Sequence, residues 1–138
     1  MILKEYNFLG EKIYCKSIIT KLEFSYEFEI YSLIKRTATK AGYRYIRIDT
    51  QGQQGFPDIL LLKGQKYIQI EAKFLRRKQL NSIVDDLKWQ FGQIAYMKRS
   101  FMNNENYILA VAKDHMLWFF TGGNFVKSTH YTQFVKLF

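Results

Sequence analysis

Two carboxylates and an amine lie close together along this chain: Asp58, then Glu71 and Lys73. Asp58 follows Pro57 and opens an apolar run over 59–62, while Glu71 and Lys73 close a second run beyond the turn Lys63-Gly64-Gln65-Lys66. Glycine at the first central position of a two-residue loop suits a type II′ hairpin turn. With Gly64 and Gln65 as the loop, Lys63 faces Lys66, and counting back along both strands sets Asp58 directly opposite Glu71. Cross-strand partners share a face, with Cβ atoms roughly 5 Å apart. Alternation along the strand puts Lys73 on the same face as Glu71. Two facing carboxylates repel. A divalent cation between them turns that repulsion into a binding site, and oxygen donors favour Mg²⁺ or Mn²⁺. A lysine beside such a cation orients water or offsets charge developing on a phosphate.

The composition suits a partner of that chemistry. Twenty-one Lys and Arg against 12 Asp and Glu give a net charge of +9, as expected of a protein that meets a polyanion. At 138 residues, without a Gly/Ser linker, repeat or low-complexity stretch, a single domain with a proper core is expected. No apolar run approaches 18 residues and no basic amphipathic anchor stands out, so no membrane partner is expected. The opening stretch lacks the layout of a signal peptide, and the one cysteine, Cys15, has no disulfide partner. Both point to a cytoplasmic setting. Cys15 has no base near it in sequence and reads as a bystander; His115 and His130 lack metal-ligand spacing and read as surface residues.

The elements that must position the acids follow from periodicity. Residues 2–19 alternate loosely through Tyr6, Phe8, Ile13, Tyr14 and Ile18 and read as a β-hairpin turning at Gly10-Glu11, an addition that covers a sheet edge or makes a subunit contact. A helix is expected over 24–41, with Ser25 as N-cap, Gly42 as stop, and Ile30, Leu33, Ile34, Thr37 and Ala41 on one face. Residues 43–49 read as a half-exposed strand, followed by a polar loop whose Gly52 and Gly55 either let backbone approach a phosphate or simply serve a connecting loop. The run 59–62, apolar on both faces, reads as a central strand covered on both sides. Arg76, Arg77 and Lys78 adjoin Lys73 and suit phosphate contact. A second helix is expected over 82–102. Ile83, Val84, Leu87, Phe91, Ile94, Ala95 and Phe101 form its buried stripe, with Asp86, Gln90, Gln93 and Met97 as an adjoining row and Trp89 as packing or contact surface. Residues 107–112 and 116–120 read as two strands joined by a hairpin-like turn at Lys113-Asp114-His115; Thr121-Gly122-Gly123-Asn124 reads as another turn, and the tail from His130 as strand or helix.

Pro57-Asp58, the intervening run, then Glu71-Ala72-Lys73 resembles the signature of the PD-(D/E)XK nuclease superfamily. The glycines at 52 and 55 and the stretch Gln93-Ile94-Ala95-Tyr96 resemble small VRR-type phage nucleases, and an acid-bearing helix, Gly-Tyr, a strand and Pro-Asp in that order resemble Holliday-junction resolvases. The resemblance covers roughly residues 20–121 and is strongest over 55–73. It implies an α/β fold: a restriction-endonuclease-like αβββαβ core with a mixed central sheet flanked by helices, here over 23–121, plus the N-terminal hairpin over 1–22 and a C-terminal extension over 122–138. It implies Mg²⁺, with Mn²⁺ as substitute, held by Asp58, Glu71 and the Ala72 backbone carbonyl, and an acid from the first helix completing the set. Glu27 fits best there, with Glu29 and Glu23 as alternatives. A glutamine from the second helix approaches the site in VRR-type nucleases; Gln93 matches that element and Gln90 competes on geometry. Gln53 and Gln90 join the basic segment as DNA contacts. The implied activity is endonucleolytic hydrolysis of DNA in a bacterium or phage-infected cell, leaving a 5′-phosphate and a 3′-hydroxyl. So small a chain suits branched, junction or flap DNA recognised by shape; resolving junctions would need two sites and hence a homodimer. The other readings are a nuclease-fold DNA-binding module without catalysis and a basic RNA-binding protein, for which the 17% aromatic content permits base stacking but no RNP-type motif appears. No small-molecule cofactor is expected.

Overall fold

The computed structural model describes residues 3–48, 55–127 and Lys136. Its organising hairpin forms as the turn chemistry requires. Gly64 takes φ +61° while Gln65 stays out of the left-handed region, which is the type II′ pattern. Lys63 pairs with Lys66 and Ile59 with Ile70, joining β4 (Ile59–Lys63) to β5 (Lys66–Phe74) antiparallel. One further step of that register brings Asp58 opposite Glu71.

The remaining strands are β1 (Lys4–Phe8), β2 (Glu11–Phe24), β3 (Arg44–Arg47) and β6 (Tyr107–Gly122). They build one six-stranded sheet in the order β1-β2-β6-β5-β4-β3. The sheet is mixed: β5 and β6 run parallel and every other pair antiparallel. The helices are α1 (Glu27–Lys40), α2 (Gln93–Met102) and the single turn α3 (Gly123–Val126). None is long and apolar enough to cross a membrane, among the described residues.

Alternation along the central strands feeds two cores. Ile68, Ile70 and Ala72 of β5, with Ile108, Ala110 and Ala112 of β6, pack with Ile30, Ile34 and Ala38 of α1. On the opposite face Tyr107, Leu109 and Val111 pack with Met97 and Phe101 of α2. Gln69, Glu71 and Lys73 belong to this second face and are buried. The strands covered on both sides are therefore β5 and β6. The expectation placed that property on 59–62, but Leu60 and Leu62 of β4 are only half-buried because β4 lies one strand from the sheet edge.

Several expected boundaries move. The first hairpin turns at Leu9-Gly10, both left-handed (φ +50° and +88°), one residue before Gly10-Glu11. Its second strand continues to Phe24 and pairs with β6, extending the sheet beyond that strand. Helix α1 is N-capped at Tyr26 instead of Ser25, because the Glu29 carboxylate reaches back and accepts the N–H groups of both Ser25 and Tyr26 at 2.8 Å. Its stop is as expected, with Gly42 at φ +91° after C-cap Ala41.

The second helix is much shorter than 82–102 and begins at Gln93. Gly92 sits at φ +84°, which breaks any helix running through it. Ahead of it, buried Asp86 accepts the N–H groups of Asn81 and Ser82, holding that stretch in turns. The buried face of the helix is Gln93, Met97, Ser100 and Phe101; of the row read as adjoining, Asp86, Gln93 and Met97 are buried and Gln90 is exposed, while Val84, Phe91 and Ala95 of the expected buried stripe lie outside. The two strands expected over 107–120 are one strand, β6, running on to Gly122, with Gly123 to Val126 helical where a turn was expected. No chain reversal occurs at Lys113-Asp114-His115. Asp114 instead takes φ +52°, and the strand changes phase there: Ala110 and Ala112 face the α1 core before it, Leu117 and Phe119 after it. His115 is exposed. The expectations for Asp49, Gly52, Gln53 and the tail from His130 lie outside the described residues.

Candidate functional site

Glu71 and Lys73 stand two apart on the α2 face of β5, 1% and 7% exposed. The lysine Nζ lies 3.6 Å from Glu71 Oε2 and 4.8 Å from the centre of the Trp89 ring, and it donates to Gln93 Oε1 at 2.7 Å. Gln93 enters from the first turn of α2. Its Oε1 also accepts the Gln90 N–H (2.9 Å), and its Nε2 lies 3.4 Å from Glu71 Oε1. One amide thus holds the amine, the acid and the segment leading into α2.

Asp58 comes from the other strand of the hairpin, just ahead of β4, and its Oδ2 accepts the Ala72 N–H at 3.3 Å. The same oxygen is 2.9 Å from the Tyr31 hydroxyl, which is also 2.9 Å from Glu27 Oε1. Glu27 opens α1 and Tyr31 follows one turn on, at the spacing that brings helical side chains together. Arg47 of β3 stacks on Tyr31, its guanidinium carbon 3.6 Å from the ring centre. Burial first, then the Asp58 carboxylate, holds the Tyr31 hydroxyl far above the usual phenol range, so it stays protonated and donates.

Glycine packing aligns the two halves. Gly55 (φ +84°) lies against Gly92, and a Cβ on Gly55 would come within 2.5 Å of the Gly92 carbonyl oxygen. That contact seats the approach to Asp58 on the start of α2, one residue before Gln93. The role expected for Gly55, letting backbone approach a phosphate, gives way to backbone-on-backbone packing.

The result is a pocket of about 190 Å³ lined by Glu27, Asp58, Glu71, Lys73, Phe74, Lys88, Gln90 and Gln93. It brings together five side chains picked from the sequence for chemistry, and Gln90 with them. Of the alternatives on the first helix, Glu29 is engaged at the helix cap and Glu23 lies exposed on β2, while Glu27 reaches the pocket. Arg76, Arg77 and Lys78 are exposed and do not line it. Arg77 pairs with Asp86 at 3.4 Å and Arg76 approaches the Leu87 carbonyl, so both hold the segment before α2.

Tyr31, Arg47 and Lys88 were missed. Tyr31 was findable, four residues beyond Glu27 on the same helix. Arg47 was signalled weakly by a strand that ends beside Asp58, and Lys88, in an irregular segment, by nothing.

Glu71 is held above the usual carboxylate range, by burial first and then by Asp58, against the weaker pull of Lys73. A buried acid facing another acid needs a proton or a cation. The donor set fits a hard divalent ion: two carboxylates meet across the hairpin, with donor groups and a third acid at the margin. Among the described residues no three acidic, histidine or cysteine side chains converge as a closed metal cluster, since Glu27 stands off from Asp58 through Tyr31.

No family model matches the chain, and neither the curated proteins nor the solved structures compared with it include a match.

Proposed function

We propose that this protein is a Mg²⁺-dependent endonuclease that hydrolyses DNA phosphodiester bonds, with a restriction-endonuclease-like core. The observation that carries the reading is the convergence of Asp58, Glu71, Lys73, Gln93 and Glu27 on one pocket, with a nearly water-free carboxylate at its base. The chain order α1, β3, β4, β5, α2, β6 supports it as well, being the αβββαβ order that the motif resemblance implies.

In this reading Asp58, Glu71 and the Ala72 carbonyl hold the cation, and Glu27 assists, directly or through water. The cation, when bound, supplies Lewis-acid stabilisation of the phosphate charge and lowers the pKa of water. Lys73 orients the attacking water and offsets charge as phosphorus passes through five-coordination. Gln93 keeps the ammonium aimed, since its Oε1 accepts from Lys73 at 2.7 Å. The water oxygen bonds to phosphorus and gives up a proton to solvent, the bond to the 3′ oxygen breaks, and that oxygen takes a proton from solvent, leaving a 5′-phosphate and a 3′-hydroxyl.

A labelled panel of duplex, nicked, flapped, four-way and single-stranded DNA, incubated in Mg²⁺, Mn²⁺ or EDTA beside Asp58→Ala, tests this. Cleavage in both metals, lost in EDTA and in the variant, is expected. Binding without cleavage on every substrate would favour a catalytically inactive DNA-binding module, and equal cutting in EDTA would sink the mechanism. RNA competing better than DNA at fixed salt would point to the RNA-binding alternative.

A further inference from the structure

The pocket is small. Its volume is about 190 Å³, and of the residues that line it only Phe74 is aromatic, so exposed rings that could meet the bases next to a bound phosphate stand outside the lining. Tyr26 and Phe28 immediately flank Glu27 in the chain and are each 64% exposed; Phe91 follows Gln90 and is 79% exposed. Among the described residues these are the three most exposed aromatic side chains, and each adjoins a pocket residue. The Tyr26 and Phe28 rings stack on each other, centroids 5.7 Å apart and planes 15° apart. Phe56, also exposed, precedes Pro57-Asp58 and packs on Tyr96, 5.5 Å between centroids.

Resting on the nuclease reading, we propose that Tyr26, Phe28 and Phe91 stack unpaired nucleobases beside the phosphate held in the pocket, so that the substrate is DNA with single-stranded character at the cut. An aromatic ring left in water forgoes burial, and exposed rings borne by the chain neighbours of pocket residues gain most from the bases beside a bound phosphate. The +9 charge, with Lys88 in the wall, supplies the complementary attraction for the backbone. Paired bases stack on each other and keep their faces covered. Away from duplex ends only unpaired ones offer a face to an exposed ring, so the rim selects by strandedness and tolerates any sequence.

The test is equilibrium binding in EDTA, by fluorescence anisotropy, to four labelled ligands: a blunt duplex, a single strand, a duplex with a single-stranded tail, and the same tailed duplex with an abasic tail. Wild type is expected to prefer the single strand and the tailed duplex over both the blunt duplex and the abasic tail. Phe91→Ala and the double variant Tyr26→Ala/Phe28→Ala should each weaken the two preferred ligands about tenfold and leave the blunt duplex unchanged. Equal wild-type affinity for tailed and blunt duplexes, or no difference between the normal and abasic tails, overturns the proposal without recourse to any variant. So does a rim that proves to be a contact between copies, seen in sedimentation as a dimer that the variants dissociate. The expected preference with no cleavage in Mg²⁺ would retain the stacking surface and fail the nuclease reading instead.

Discussion

Glu71 carries the sharpest prediction at the scale of single residues. Its carboxyl is held above the ordinary glutamate range by burial, then by Asp58. The folded protein therefore keeps a proton that the unfolded chain releases above about pH 4.3. Stability from this group is full below that pH and is lost as pH rises through the raised value. The difference in melting temperature between metal-free wild type and Glu71→Gln should thus move against wild type as pH climbs from 5 to 9. If Mg²⁺ replaces the proton, as the proposed function requires, its stabilisation of wild type should grow with pH and be absent in the variant. A Mg²⁺ effect of equal size in Glu71→Gln would refute this. Tyr31→Phe keeps the ring under Arg47 and removes the hydroxyl between Glu27 and Asp58. We expect half-saturation by Mg²⁺, read from melting shifts and from cleavage, to rise about tenfold, on the scale of a hydrogen bond to a charged group. The rate at saturating Mg²⁺ should change little.

Among the elements, the Gly55–Gly92 contact is the joint on which the site's alignment turns. Gly55→Ala meets both a left-handed backbone and a carbonyl oxygen at 2.5 Å, and should cost about 2–3 kcal/mol in denaturant unfolding and lower activity with it. Gly10→Ala is the control: its φ is +88° but, among the described residues, nothing lies within 4 Å of an added Cβ, so only the backbone penalty of about 1 kcal/mol applies and activity should be retained. The same region marks how far the sequence could be read. The β4–β5 hairpin was legible because a two-residue turn with glycine first dictates every pair behind it. Helix α2 was legible only in its second half. Apolar spacing through Ile83, Leu87 and Phe91 imitates a helix, and neither the break at Gly92 nor the Asp86 side chain tying back to Asn81 and Ser82 shows in periodicity. Strand β6 misled for a related reason. A phase change at a left-handed aspartate looks in sequence like a turn between two strands.

For the whole molecule, charge and burial set what can be measured without knowing the substrate. DNA affinity should fall steeply with salt, and Lys88→Ala should reduce the log–log slope by about one if that lysine neutralises a phosphate. Cys15 is 4% exposed and its thiol is pushed up to about 12, chiefly by burial. It should resist a thiol reagent at pH 8 in the native protein and react fully in denaturant. Sheet order was the least legible property of the chain, since it depends on which strands β6 joins. That strand gives Tyr107 to Ala112 to β5, and Met116 to Gly122, beyond the phase change, to β2. Residues 1–22, set apart in sequence as an appendage, therefore have structural reach. A truncated chain starting at residue 23 would leave the later half of β6 with bare backbone donors and acceptors and no neighbour. Such a fragment should aggregate or pair with its twin along that naked strand instead of surviving as a smaller working unit.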